Sequence, residues 1–192
     1  MTLENAILGF LDRESMTGYD LKTRCFDEAV GHLWTADQAQ VYRTLERLAK
    51  RGLVRARLVP QRGKPDRRVF SITQRGRDAL AAWLREGEDP APMRDPLLLR
   101  FTLAESLPDG DLLVLLSRAR DGYQTRLDAL RTEATAPPPR RAAPDERGAA
   151  LYSMTLGAAM SATRTAIDWI DDCRDRIASG LPPAARTTDE GV

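Results

Sequence analysis

Apolar residues recur at three- to four-residue intervals up to Gly52 and then switch to every second position. In TLENAILGFL, Leu3, Ala6, Ile7, Phe10 and Leu11 share one helical face, with Thr2 placed to cap it. TGYDLKTRCFDEAVGHL follows, with Thr17 as cap, Asp20 at the third helical position, and Leu21, Phe26 and Val30 turned inward. A third helix, TADQAQVYRTLERLAKRG, offers Thr35 and Gln38 as a capping box. It buries Val41, Leu45 and Leu48 and stops at Gly52, a residue that tolerates the left-handed conformation. Beyond it, LVRARLV alternates Leu53, Arg55, Arg57 and Val59 with Val54, Ala56 and Leu58, and RRVFSIT supplies a second extended run through Val69, Phe70 and Ile72. The connection PQRGKPD carries Pro60, Gly63 and Pro65, so the two runs form a hairpin with a long basic tip. Thr73 then caps a fourth helix, QRGRDALAAWLRE.

The second half reads differently. GEDPAPMRDP has the composition of a linker, and three helices follow: a short one near Leu97–Ser106, a long one from Asp109 to about Thr135, and a last one from about Glu146 to Ser179. APPPRRAAPDE separates the two long helices and reads as a mobile connection. On the first long helix Leu112, Leu115, Leu116, Ala119, Tyr123, Leu127 and Leu130 recur at three-four spacing. On the last, Leu151, Thr155, Ala158, Ala162, Ala166, Trp169, Cys173 and Ile177 do so. A helix of about 30 residues is about 45 Å long, more than one small domain covers, so a second copy of the chain is the expected cover and these helices the dimerisation apparatus. The predicted fold is mainly α with a small β-hairpin wing. Residues 1–86 form a winged helix-turn-helix domain, 87–96 a linker, 97–179 a helical dimerisation and candidate effector domain, and 180–192 a disordered tail.

Charge sharpens this picture. The net charge is only +1, yet residues 1–85 hold 16 basic against 10 acidic residues and residues 86–192 hold 13 against 18. Within residues 40–77 there are 12 cations and only Glu46 and Asp66 as acids, a local polyanion site rather than general stickiness. An ordinary solvated helix interleaves acids for i,i+4 pairing; the third helix has only Glu46. A major groove admits one α-helix with phosphates flanking it. On that reading Gln38, Gln40, Arg43, Thr44 and Arg47 reach base edges, while Lys50, Arg62, Lys64, Arg67 and Arg68 hold phosphates. The rival reading is a protein-interaction module whose basic face meets an acidic protein.

Enzyme chemistry finds little footing. His32 is the single histidine and reads as a helix-end residue. Cys25 and Cys173 lie far apart in sequence, which leaves no zinc site, and no Gly-rich phosphate cradle is present. The chain reads as a non-enzyme without a cofactor, and the sequence leaves a redox role for either cysteine open. No apolar run reaches membrane-spanning length and MTLENAILGFLDRES lacks a basic signal-peptide start, so cytoplasmic residence is expected.

ENAILGFLDRESMTGYDL, VYRTLERLAKRGLV and RRVFSITQRGRDALAAWL together resemble the PadR family of bacterial transcriptional regulators. The resemblance covers residues 3–85 in order and spacing, and the remainder is similar, more loosely, to a branch with a long helical C-terminal half. It implies a homodimeric repressor of its own or a neighbouring operon on a palindromic double-stranded operator. Tyr19 and Tyr42 correspond to family tyrosines near the DNA backbone. The family's Pro or Ser near the start of the groove helix is replaced by TADQ, and Phe70 stands where Tyr is usual. A small-molecule effector is the remaining expectation, with Trp83, Phe101, Tyr123, Tyr152 and Trp169 as candidate lining residues beside the alternative that they are core.

Overall fold

Helix α1 (Thr2–Arg13) buries Ile7, Leu8, Phe10 and Leu11, the face set by helical spacing; Thr2 is its first residue rather than a cap ahead of it. The computed structural model describes residues 2–60, 66–87 and 93–182, so Arg62 and Lys64 of the expected hairpin tip, half of the expected linker and most of the tail lie outside the described residues. After α1 comes a two-residue strand, β1 (Met16–Thr17), too short to leave any alternation in the sequence. Thr17 and Asp20 form the expected capping box, the Thr17 hydroxyl accepting from the Asp20 amide at 3.1 Å, and open α2 (Gly18–Asp20). The chain then widens into a π-helical stretch, Leu21–Asp27, where a regular helix to Leu33 was expected. The amides of Ala29 and Val30 both return to the Cys25 carbonyl at 3.1 and 3.0 Å, which closes it.

Helix α3 (Gln38–Lys50) ends as its glycine predicts. Gly52 adopts φ 70°, its amide bonds the Ala49 carbonyl, and the Leu53 amide bonds the Leu48 carbonyl, each at 3.0 Å. This pair of bonds is a Schellman cap, and it delivers the chain into β2 (Val54–Val59). Strand β3 (Arg67–Ile72) pairs antiparallel with β2 on one side and β1 on the other. The wing is therefore a three-stranded sheet in the order β1-β3-β2 rather than a bare hairpin. Alternation turns Val54, Phe70 and Ile72 into the core. Arg55 and Arg57, opposite Ser71 and Val69, stay outside. Phe70 is wholly buried, so the position serves the core and offers nothing to a phosphate. Thr73 caps α4 (Gln74–Arg85), accepting from the Gly76 amide at 3.1 Å.

Two compact units emerge: Met1–Asp89 with Pro137–Ser153, and Pro90–Ala136 with Met154–Val192. The first is built on Ile7, Leu8, Leu21, Phe26, Val41, Leu45, Leu48 and Phe70, all with next to no exposure, each worth about 1.5–3 kcal/mol of burial. Trp83 packs against this core. Residues 137–153 belong to this unit, although the sequence reading assigned them to the helical domain and took part of them as mobile. Arg141 pairs with Glu14 at 2.6 Å, Arg13 donates to the Arg141 carbonyl, and Ala143 is buried. Such tertiary ties have no local signature.

The second unit holds α5 (Pro96–Thr102), α6 (Asp109–Thr135) and most of α7 (Glu146–Ala178). Leu112 and Leu116 meet Ile170, Cys173 and Ile177, with Phe101, Tyr123 and Trp169 packed beside them. The buried stripe of α7 runs through Leu156, Thr163, Ile167, Ile170, Cys173 and Ile177; it shares Cys173 and Ile177 with the face the spacing predicts and departs from it earlier in the helix, where Leu151, Thr155, Ala158 and Ala162 are exposed. The long run of small residues in α7 made both phases look apolar. Both cysteines are buried free thiols. Burial pushes the Cys25 thiol up to about 11 and also raises that of Cys173, which holds both in the unreactive thiol form at neutral pH.

One glycine is fixed by space. A Cβ at Gly76 would lie 2.2 Å from the Leu53 carbonyl oxygen, a backbone atom that cannot yield, whereas one at Gly122 in α6 meets nothing within 4 Å. Gly76→Ala should destabilise the winged-helix unit by about 2–3 kcal/mol, and Gly122→Ala should be neutral or stabilise by up to about 1 kcal/mol. Urea unfolding of both variants checks this.

Candidate nucleic-acid interface

The exposed face of α3 begins at its cap. Asp37 is the N-cap, its carboxylate accepting from the Gln40 amide at 2.7 Å while the Gln40 side chain accepts from the Asp37 amide at 3.2 Å. The expected box of Thr35 and Gln38 is displaced by two residues. Starting at Asp37 places Ala36 and Val41 on either side of the first turn, and both are buried in the core, the pattern of a hydrophobic staple; starting at Thr35 would put exposed Trp34 and Ala39 there. Gln40 is thereby partly committed to its own helix, while Gln38, one position into the helix, is exposed.

The core face of α3 comprises Val41, Thr44, Leu45 and Leu48. Thr44 is 3% exposed and cannot reach a base, contrary to its placement on the outer side; it sits three residues after Val41 and four before Leu48, inside the apolar stripe. Gln38, Arg43, Arg47 and Lys50 face outward. The Tyr42 ring lies over Gly18, where a Cβ would come within 2.7 Å of it. The start of α2 is thus seated against α3, and Tyr19 and Tyr42 remain on the surface.

Acids from distant parts of the chain sort these cations. Glu4 of α1 binds both Arg47 and Arg51, the latter at 2.7 Å. Asp20 binds Arg67 at 3.0 Å and lies 3.7 Å from Arg24. Glu46 binds Arg68, whose guanidinium also stands 4.9 Å over the Phe70 ring. A guanidinium carries five N–H donors, so Arg47, Arg67 and Arg68, all about half exposed, keep donors to spare but are oriented and partly neutralised. Among the described residues Arg43, Lys50, Arg55 and Arg57 pair with no acid. The last two were missed as site residues, although their alternation in VRARLV marks them: they stand two apart on the outer face of an edge strand.

The other candidates do not converge. Tyr123 and Trp169 share a cavity of about 620 Å³ with Leu97, Ala159 and Ala166 in the second unit. Phe101 stacks edge-to-face on Trp169 at 5.6 Å but faces a different cleft. Tyr152 belongs to the first unit, edge-to-face with His32 at 5.5 Å, and Trp83 is spent on the winged-helix core. Large aromatics at helical spacing mark buried faces, and burial alone does not assign them to one cavity. No group of three or more metal-binding side chains occurs among the described residues, and no described helix is long and apolar enough to cross a membrane.

These features define a winged helix-turn-helix unit with a basic face, followed by long helices. Residues 7–82 match the Transcriptional regulator PadR-like family and residues 93–178 the Virulence activator alpha C-term family. A probable transcriptional regulator of Mycobacterium tuberculosis, Rv1176c, is 33% identical over 192 residues, covering 92% of this chain and 98% of its own. The negative transcriptional regulator PadR of Bacillus subtilis is 32% identical over 99 residues, 51% of this chain and 54% of its own. Its crystal structures in complex with operator DNA and with p-coumaric acid resemble this fold with TM-scores of 0.77 and 0.70, at 23% and 24% identity. They cover 92% of this chain and 99% and 95% of theirs. The chain belongs to the PadR-like family, whose members are transcriptional regulators rather than enzymes.

Asp20 and Glu4 make the face sensitive to acid. Burial works to raise each carboxyl; the Thr17 hydroxyl and amide with Arg24 and Arg67 outweigh it at Asp20, and Arg47 and Arg51 at Glu4. Both titrate below their ordinary values of 3.8 and 4.5. A lowered folded-state value stabilises above the unfolded value and is lost as pH falls through the folded one. Thermal melts from about pH 7 down to about pH 3 should show wild type losing its advantage over Asp20→Asn toward the acid end, since protonation removes the same charge.

Proposed function

We propose that this chain is a homodimeric repressor that reads a palindromic operator through the outer face of α3 and holds the flanking phosphates with Lys50 and the wing arginines. The observation that carries the reading is the set of cations left over after internal pairing. Among the described residues Arg43 and Lys50 on α3 and Arg55 and Arg57 on β2 have no acid of their own, while the neighbouring arginines are held in place by Glu4, Asp20 and Glu46. Gln38 and Arg43, near the helix start, supply base-edge chemistry; Arg62 and Lys64, outside the described residues, are further candidates for phosphate by their charge. The Bacillus subtilis relative, a negative regulator crystallised with operator DNA, supports the same assignment.

The dimer rests on apolar surface that the second unit leaves uncovered: Leu99 and Leu103 are 62% and 67% exposed, Val114 51% and Met154 69%. A surface of this kind marks a protein interface. Release from DNA by a small molecule uses the cavity beside Tyr123 and Trp169, and the complex of the Bacillus subtilis relative with p-coumaric acid supports a ligand-responsive regulator.

Fluorescence anisotropy with a duplex from upstream of the chain's own gene tests the reading. Arg43→Ala should cost about 1–3 kcal/mol in specific affinity. Lys50→Ala should weaken specific and scrambled duplexes alike and reduce the steepness of the salt dependence by about one unit. Arg47→Ala, already held by Glu4, should do less. Equal, weak binding to both duplexes would overturn the repressor reading in favour of an acidic protein partner. In sedimentation, the double variant Leu103→Lys with Val114→Lys should run as a monomer where the wild type runs as a dimer.

A further inference from the structure

Arg43, Arg47 and Arg51 follow one another at four-residue intervals, the last at the C-cap of α3, so they stand in a single exposed row along the helix. Arg43 pairs with no acid among the described residues. The other two converge on one carboxylate, that of Glu4 in the first turn of α1. Each takes its own oxygen: the Arg47 Nε–H donates to Oε1, and a terminal N–H of Arg51 donates to Oε2 at 2.7 Å. The Glu4 side chain is only 13% exposed and the two arginines 57% and 53%. The carboxylate therefore lies beneath a pair of cations that themselves face solvent.

Glu4 differs from the other two acids that order this face. Asp20 closes the capping box of α2 with Thr17, and Glu46 meets Arg68 in a half-exposed pair. Among the described residues the Glu4 side chain bonds only Arg47 and Arg51. Burial works against its charge, yet the two guanidinia hold its carboxyl below the ordinary value of 4.5, so it is ionised at neutral pH. A carboxylate offers a guanidinium what a DNA phosphodiester offers, two oxygens sharing one negative charge. We propose that Glu4 is an internal stand-in for a DNA phosphate, a specificity-determining residue that holds Arg47 and Arg51 out of sequence-independent binding. Phosphate contacts carry no base information. Two cations occupied by Glu4 therefore lower the attraction of the face for any duplex, while Gln38 and Arg43 stay available to read bases. This role rests on the DNA-binding reading of α3.

Anisotropy titrations of the full chain on scrambled and upstream duplexes, each at several salt concentrations, provide the test. Glu4→Gln keeps the length of the side chain and removes its charge. It should bind the scrambled duplex roughly tenfold more tightly at low salt, with a salt dependence steeper by about one to two units, the signature of up to two added phosphate contacts. On the operator, base contacts fix α3 and with it the phosphates within reach, so the gain there should be smaller and the ratio of the two affinities should fall. Adding Arg47→Gln and Arg51→Gln to Glu4→Gln should return the scrambled affinity and its salt slope to wild-type values, which a role confined to packing α1 on α3 would not do. With Glu4 in place, the same two arginine substitutions should weaken scrambled binding by less than about threefold, and this arm does not depend on the Glu4 variant folding. An unchanged slope for Glu4→Gln on scrambled DNA, a gain that survives loss of both arginines, a larger gain on the operator, or a tenfold loss from the arginine pair alone would each overturn the proposal. Equal, weak binding of the wild type to both duplexes defeats the operator reading and leaves the scrambled-duplex comparison intact. An unchanged slope defeats the role of Glu4 while a wild-type preference for the operator stands.

Discussion

The carbonyl of Leu53 is the point on which the winged-helix unit turns. It accepts from both the amide and the hydroxyl of Thr73, each at 3.0 Å, and the absent side chain of Gly76 leaves it room. Leu53 is also the residue whose amide completes the Schellman cap of α3, and Thr73 is the cap of α4. A single knot therefore fixes the end of α3, the base of the wing and the start of α4. Only if these three are rigid do Arg43 and Lys50 on one element and Arg55 and Arg57 on another present a constant pattern of charge. Preorganisation of this kind lowers the ordering cost of binding.

Within that frame, tertiary acids decide which cations are available. Half-exposed ion pairs contribute only about 0–1 kcal/mol of stability each, so the pairs made by Glu4, Asp20 and Glu46 matter less as glue than as guides. Arg47 and Arg51 are drawn toward α1, Arg67 toward α2, and Arg68 across Phe70 toward α3. The basic stretch that looked uniform in sequence is divided into oriented arginines with spare donors and cations that pair with no acid among the described residues.

That division explains what was legible in the chain beforehand. Features fixed by neighbours in sequence could be read directly: the Thr17 box, the glycine stop at Gly52, the Thr73 cap, and the alternation that sends Arg55 and Arg57 outward. Features fixed by partners far along the chain could not. The cap of α3 moved to Asp37 because burial of Ala36 and Val41 outweighed the local preference for Thr35. Thr44 went inside because a polar residue of threonine's size fits an apolar stripe. Strand β1 exists only because β3 offers it an edge, and residues 137–153 are held by Glu14 and Arg13, more than 120 positions away. In α7, a stretch rich in small residues blurred the phase of the helix, so much of the buried face could be settled only by what packs against it.

The division also bears on why the proposed repressor should act as a pair. With Thr44 buried and Gln40 folded onto its cap, Gln38 and Arg43 are the side chains near the start of α3 that remain free for base edges. A good bidentate base contact discriminates by about 1–3 kcal/mol, so one chain's two readers reach roughly 2–6 kcal/mol, while specific sites are typically preferred by about 4–10 kcal/mol. A single copy falls at or below the lower part of that range, and two copies on a symmetric operator double the discrimination by repeating the same contacts. In the proposed dimer the exposed apolar residues of α5, α6 and α7 would be more than a surface to be covered: they would bring the second pair of readers that the first pair needs.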